Sequence, residues 1–505
     1  MPSRMIRTLA VAVPVRFPQQ PFSSASDAHG LTELVLQLLA YLSTSRFARN
    51  IPFHLNPPDF PASLAGIAWS ASERACLEEF TVHGSSKLSA SERLAFCEDA
   101  IPFASDGEDL VLLSCDPNRR SWNTVMGPLA DPYGAHGALW VLNPASHEGR
   151  EPEVQKVELE WPAFAAGEAQ FHPLGIEVVE AKEHKSASTL LVVNHGASES
   201  TIEVFSLSSS PSSPSFRIVH AHTLRHSSFT GAPNSIAILP DSSTTALRFF
   251  LSHDHRFNRR TTSPFLKLAN FVETVGAMAL SRVDYVEVNL PETAAGEPQI
   301  KVETVVPGVA FANGLALSPS GKTLIVASTT RRELRFYRVA PSASSAFSPS
   351  LTLIRVAHVP FLVDNLSILP SPSSPPSSDS EAFTVLAAGH PSYPALLSAA
   401  HKLHLSLHLP SFLSRFFSWP GFDFDWERQS GMSWAAAVQH PRSASKMAGE
   451  PDWMTVFASH GRREEGGFGG STTAVGGVFG KDGKKCWLVV PGLYEEGVKV
   501  IRQAE

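Results

Sequence analysis

From about residue 108 onward one pattern recurs along the chain: a short β-rich run, a turn signal, and another such run, many of them alternating apolar and polar positions. "ALWVLNP", "TLLVVNH", "TIEVFSL", "VDYVEVNL", "TLIVAST", "ELRFYRV" and "FTVLAAG" are examples. Alternation with period two puts one face of each run against a core, so these runs predict half-buried β-strands. So many strands, joined mostly by short links and with few helices, exceed what a sandwich needs and predict an all-β propeller, in which four-stranded blades pack radially. Self-similarity at a fixed period is faint, so the prediction rests on strand count.

Three Ser/Pro-rich stretches, at 206–215, 340–350 and 370–380, each follow one strand and precede another. Their composition cannot bury apolar area, and they are expected to be surface hairpin loops. The propeller is assigned to 91–505, with an N-terminal extension over 1–90 and an elaboration at 401–450. Within the extension, "LTELVLQLLAYL" is too short to span a bilayer and predicts an amphipathic or buried helix. A second helix is predicted in "TSPFLKLANFVETVGAMAL", with Ser263 as N-cap, Pro264 at the first helical position, and Phe265, Leu268, Val272 and Val275 on one face. It reads equally as packing over the barrel top or as a wall over a site.

Composition supports a well-filled core: 43% hydrophobic residues and 31 Phe against 18% charged residues. A net charge of -7 without a dense Lys/Arg run gives little electrostatic reason to bind nucleic acid, and a small neutral or anionic substrate would have to be attracted locally. The four cysteines form no CxxC and no zinc-like spacing. Arg4, Arg7 and Arg16 surround a short apolar run, which fits a weak presequence as well as a plain tail. Membrane association through the N-terminus or the top-face helices is not predicted.

Polar residues close many of the strands: Glu108-Asp109, Asn194-His195, Asn234, His253-Asp254-His255, Asn313 and Asp364-Asn365. Each alone is a favoured turn residue. Together they lie beside strands spread over the chain, and the inner strands of a propeller converge on one axis. Convergent carboxylates and amide oxygens suit a hard cation, and calcium takes six to eight oxygens in a flexible shell.

At these residues the chain resembles the paraoxonase/arylesterase family, itself similar to gluconolactonase-type propellers. "FHPLGIEVV", "LLVVNH", "TLRHSSFTGAPNSIAIL", "FANGLALSPSGK" and "LVDNLSI" carry the resemblance in order, from about Cys97 to the C-terminus. It implies a six-bladed propeller with a catalytic calcium that hydrolyses lactones and aryl esters. By motif the calcium ligands fall on Glu108, Asn234, Asn313, Asp364 and Asn365, with Asn234 and Asn313 also positioning substrate. A second calcium would use Asp109 and Ile176, but Ser235 stands where the family has an Asp, which weakens that site. The family's histidine pair falls on Leu174 and His195, and Leu174 cannot take a proton. His172, His255 and His390 are candidate replacements, and His255 and His390 match the active-site wall. The partner of the family's ring-closing disulfide falls near Val500, leaving Cys97 to Cys486 as a conceivable bridge. The expected function is calcium-dependent ester or lactone hydrolysis. A non-catalytic calcium-stabilised scaffold and a sugar-lactone hydrolase are the alternatives.

Overall fold

The computed structural model describes residues 77–503 apart from 85–91, 106, 147–148, 182–186, 211–212, 292–295, 342–346, 371–381, 409–430, 442–452, 462–466 and 480–484. The predicted helix at 31–42 lies outside the described residues, as does most of the 401–450 elaboration.

The strands form six sheets, antiparallel except for one added edge strand. β1 (Leu77–Val82) comes first in sequence but belongs to the last sheet. The first sheet is β2 (Cys97–Ser105), β3 (Glu108–Cys115), β4 (Ala138–Asn143) and β5 (Glu153–Lys156). The second has β6 (Glu158–Glu160) added in parallel at the outer edge of β7 (Pro173–Val179), β8 (Ser188–His195), β9 (Ser200–Ser210) and β10 (Ser213–Leu224). The third is β11 (Pro233–Ile238), β12 (Ala246–His253), β13 (Ser281–Asn289) and β14 (Gln299–Val309). The fourth is β15 (Ala312–Leu317), β16 (Thr323–Ser328), β17 (Glu333–Ala340) and β18 (Ser350–His358). The fifth is β19 (Leu362–Pro370), β20 (Phe383–His390), β21 (Ser433–His440) and β22 (Trp453–Ser459). The sixth is β23 (Val475–Phe479), β24 (Lys485–Pro491) and β25 (Val498–Gln503), with β1 as its outermost strand.

The first strands of the six sheets touch in a closed cycle, β2, β7, β11, β15, β19, β23 and back to β2. This is the six-bladed propeller. Its apolar core is divided among the blade interfaces, as radial packing demands. Ile325, Leu334 and Phe336 of the fourth blade meet Phe383, Val385 and Trp434 of the fifth, and Leu112, Val141 and Phe103 of the first meet Phe171, Leu190 and Phe205 beside the second.

Ring closure differs from the expectation. β1 lies inside the predicted N-terminal extension, yet it pairs with β25 from Leu77↔Gln503 to Val82↔Val498. Cys97 bridges Cys115 on the neighbouring strand, where the two are register partners, and not Cys486. The disulfide therefore staples one blade, and the ring is closed by strand pairing and ion pairs. Lys499 meets Glu79 at 2.8 Å, and the buried Arg502 meets Glu78 at 2.8 Å while donating to the carbonyls of Pro144 and Arg150 beside the first blade.

The Ser/Pro-rich stretches fall between paired antiparallel strands, with β9 and β10 running into the first of them. Within the predicted elaboration, β21 is a regular blade strand. Among the described residues there are three α-helices: α1 (Pro162–Ala165), α2 (Pro264–Val275) and α3 (Tyr393–His408). α3 seats Leu396, Ala400 and Leu403 on Phe96, Leu493 and Tyr494. α2 departs in part from the expected orientation: of its predicted apolar face Val272 is buried and Val275 half-buried, but Phe265 and Leu268 are exposed, as is Phe271, while the polar Asn270, Glu273 and Thr274 are buried. The polar side is satisfied, because Asn270 Nδ2 donates to Phe257 O at 2.8 Å and Glu273 accepts from the N–H groups of Arg256 and Phe257. Ser263 makes no side-chain cap bond.

Candidate active site

Five of the six inner strands carry a register irregularity at their first turn of pairing: between Cys97 and Asp99, Pro173 and Ile176, Pro233 and Ile236, Ala312 and Leu315, and Val363 and Leu366. The sixth segment, Ser471-Thr472-Thr473-Ala474, occupies the matching place just before β23. Aligned at this point, the segments read Cys-Glu-Asp-Ala, Pro-Leu-Gly-Ile, Pro-Asn-Ser-Ile, Ala-Asn-Gly-Leu, Val-Asp-Asn-Leu and Ser-Thr-Thr-Ala. A bulge re-aims the side chain it carries. The second residue of each of the first five segments, Glu98, Leu174, Asn234, Asn313 and Asp364, lines one cavity at the axis.

Neighbouring segments are tied to one another across the ring. Asn313 Nδ2 donates to Asp364 Oδ1 at 2.6 Å. Asn365 Nδ2 donates to Glu98 O at 2.9 Å and Glu98 Oε1 at 3.2 Å. Thr473 Oγ1 donates to Glu98 O at 3.1 Å, and Leu315 N donates to Ser235 Oγ at 3.1 Å. These bonds use the amide N–H groups and leave the oxygens over: Glu98 Oε2, Asn234 Oδ1, Asn313 Oδ1 and Asn365 Oδ1 are buried with no partner. Four orphaned acceptors at one site carry a desolvation cost that a native fold does not leave uncompensated. Burial first, and then the Asp99 and Asp364 carboxylates, push the Glu98 carboxyl well above its usual range. Two carboxylates and three amides are the donor set of a hard cation. Among the described residues no cluster of three or more His, Cys, Asp or Glu side chains suits a metal, so any ion here relies on the amides.

The sequence placed the carboxylate on Glu108, and the structure places it elsewhere. Glu108 and Asp109 are exposed at the start of β3, where Glu108 Oε2 accepts from Asn143 Nδ2 at 3.1 Å. They sit at the far end of the β2–β3 hairpin from Cys97, whose neighbour Glu98 faces the axis. The second-ion set fares similarly. Asp109 is remote, Ile176 N donates to Asp99 Oδ2 at 3.1 Å, and the other Asp99 oxygen accepts from Ala100 N and Thr473 Oγ1. No Asp99 oxygen is orphaned there, and Ser235 supplies no charge, so these residues do not fit a second ion.

The histidines separate by environment. His195 is buried, its Nε2 donates to Pro233 O at 2.7 Å, its Nδ1 meets the Thr124 hydroxyl, and it does not line the cavity. Burial and the Arg260 charge hold it down to about 3. His172 bonds Asp116 and Pro132 O, each at 2.9 Å, and the Asp116 carboxylate overcomes burial to raise its pKa. His255 links Asp254 to Thr274 at 2.8 and 2.7 Å, and of the two Thr274, not His255, lines the cavity. His390 lines the cavity itself: Nε2 donates to Asp364 Oδ2 at 3.0 Å and Nδ1 has no partner. Asn194 is structural, donating to Gln170 O and Glu203 Oε1. His253 pairs with Asp284 at 2.9 Å.

The floor cavity encloses about 40 Å³, room for an ion with one or two waters. It meets an outer cavity of about 440 Å³ bounded by the 126–129 loop, α2 and α3. Val125, Met126, Leu174, Phe311, Leu362 and Leu493 give the inner walls an apolar surface.

The Arylesterase family model matches residues 142–390. Serum paraoxonase/arylesterase 2 of Bos taurus is 29% identical over 203 residues, 40% of this chain and 47% of that protein. Serum paraoxonase/arylesterase 1 of Mus musculus is 28% identical over 221 residues, 44% of this chain and 52% of that protein. The chain thus spans about half the length of the curated relatives it matches. Among solved structures it is similar to a gluconolactonase of Xanthomonas campestris, with a TM-score of 0.37 and 11% identity over 89% of this chain and 95% of that one, a likeness too remote to bear on function. The matched segment contains Asn234, Asn313, Asp364, Asn365 and His390 but not Glu98, whose place at the axis is a finding of geometry. The family-model match over 142–390 and the curated relatives make this chain similar to the paraoxonase/arylesterase family, on a six-bladed ring.

Proposed function

We propose that the chain is a calcium-dependent hydrolase of carboxylic esters, lactones or aryl esters, with Glu98, Asn234, Asn313, Asp364 and Asn365 as the calcium ligands. The carrying observation is the set of orphaned buried oxygens on adjacent inner strands of an arylesterase relative. Bound calcium would supply Lewis-acid polarisation of the substrate carbonyl and charge to stabilise the developing oxyanion.

The chain's own residues set up the rest. Asn313 is held by Asp364 and Asn365 by Glu98, so their amide oxygens are fixed before anything binds. The apolar walls exclude water and lengthen the reach of those charges. His390, which lines the cavity, has the partners of a base, with one ring nitrogen oriented by a carboxylate and the other buried without a partner. His195, with both nitrogens engaged behind the wall, positions the Pro233-Asn234 segment. The apolar inner walls suit an acyl or aryl group better than a polyol, which favours simple esters and lactones over sugar lactones. Asn313→Ala and Asp364→Ala are expected to abolish both calcium binding by titration calorimetry and turnover of phenyl acetate. Full turnover in either variant would remove that residue from the mechanism.

A further inference from the structure

The outer cavity has a charge opposite to that of the protein. The chain carries a net charge of -7, yet among the described residues lining this cavity there is no acid, and Arg259 and Lys267 supply two cations. Arg259 borders the inner cavity as well, so one side chain spans the junction between the floor and the mouth.

Among the described residues the guanidinium is positioned without being neutralised. It lies across Gly127, where a Cβ would stand 3.4 Å from Nε, and Nη1 donates to Val125 O at 3.3 Å. The loop beneath it is fixed: Asn123 Oδ1 accepts from the N–H groups of Val125 and Met126, and Asn123 Nδ2 donates to Tyr494 Oη at 2.8 Å. Among the described residues no carboxylate reaches ion-pair distance of Arg259 or Lys267. The contrast within the same chain is informative, because Arg502, Arg282 and Arg335 each have an acidic partner. A preorganised fork with open donors is the geometry that receives a carboxylate.

We infer that Arg259, assisted by Lys267, is an anion-receiving subsite, and that the preferred substrates are esters or lactones whose apolar body carries a carboxylate. The anion sits at the junction while the scissile carbonyl reaches the floor, and Phe271 and Leu397 flank the apolar body. This rests on the hydrolase reading above.

The test compares 4-acetoxybenzoate with its neutral isostere 4-acetoxybenzamide, using full-length protein with excess calcium. A charge-assisted contact predicts that wild type favours the benzoate by about tenfold or more in kcat/KM. That ratio is expected to collapse towards one in Arg259→Met, to survive largely in Arg259→Lys, and to fall less steeply in Lys267→Met, a change at an exposed helix position that the fold tolerates. Equal kcat/KM for the two esters in wild type would overturn the inference while leaving the hydrolase intact. If neither ester is turned over, the hydrolase reading fails, and calorimetric binding of 4-hydroxybenzoate against 4-hydroxybenzamide decides the subsite separately. Anion-selective binding lost in Arg259→Met supports it, and equal or absent binding of the two contradicts it.

Discussion

Gly314 follows Asn313 at the point where β15 passes closest to β19. A Cβ there would stand 2.5 Å from Asn365 Cα, 2.6 Å from Asp364 O and 2.9 Å from Leu366 N. All three are backbone atoms, so no side-chain rotation relieves the clash. Ordinary contact requires about 1 Å more, and the strands must part by that amount or tilt. Gly314→Ala is therefore expected to destabilise the protein by about 2–3 kcal/mol, the upper range for an added methyl group in a packed interior. Two of the three displaced atoms belong to Asp364 and Asn365, so calcium affinity is expected to fall together with stability. Urea unfolding with and without calcium, followed by tryptophan fluorescence, measures both. A variant with the wild-type midpoint and the wild-type calcium shift would show that the inner strands are not as close as described, and the preorganised ligand set would lose its basis.

Glu98→Gln should lower calcium affinity by about tenfold or more, because ligand charge sets affinity, whereas Glu108→Gln should leave it within about twofold; the reverse result would restore Glu108 to the site. His195 is held down to about 3 by burial, so between pH 6.5 and 3 the folded state binds fewer protons than the unfolded one. Its contribution is full above pH 6.5 and is lost on acidification, amounting to about 2 kcal/mol by pH 5. His195→Gln should lose correspondingly less stability between pH 7 and pH 5 in urea titrations, and equal losses in the two proteins would contradict the burial. Replacing Cys97 and Cys115 by Ser opens a link with a sequence separation of 18 and should cost about 3 kcal/mol. An unchanged urea midpoint in that double variant would rule out the bridge as a stabilising element.

The propeller was legible because its strands either alternate, as "ELRFYRV" does, or form short apolar runs buried on both faces, as "TLIVAS" does, with turn signals between them. β1 was not, since "LEEFTV" is the outermost strand, is only partly buried, and needs little apolar signal to pair with β25. Asn234, Asn313, Asp364 and Asn365 were singled out by the family motifs, and each stands near the start of a strongly apolar inner strand. Glu98 was missed because "CEDAIPF" has a weak strand signature, and the "GEDLVLL" that follows has a stronger one. The signal that distinguishes them is the repeat at the five inner-strand bulges, in which Cys97-Glu98-Asp99-Ala100 aligns with Ala312-Asn313-Gly314-Leu315. α2 misled in a different way: its buried Asn270, Glu273 and Thr274 are satisfied by backbone and His255 partners that no periodicity reports.

The central claim is that the orphaned oxygens hold a calcium ion that hydrolysis requires. Its most direct test is the rate of phenyl acetate hydrolysis by the purified full-length chain in excess calcium, after chelation, and after calcium is restored. Turnover is expected to be lost on chelation and recovered on readdition. Turnover indifferent to chelation would contradict the claim, and absence of turnover in a protein that binds calcium and melts at a higher temperature with it would point to a propeller that keeps the ion only for its fold.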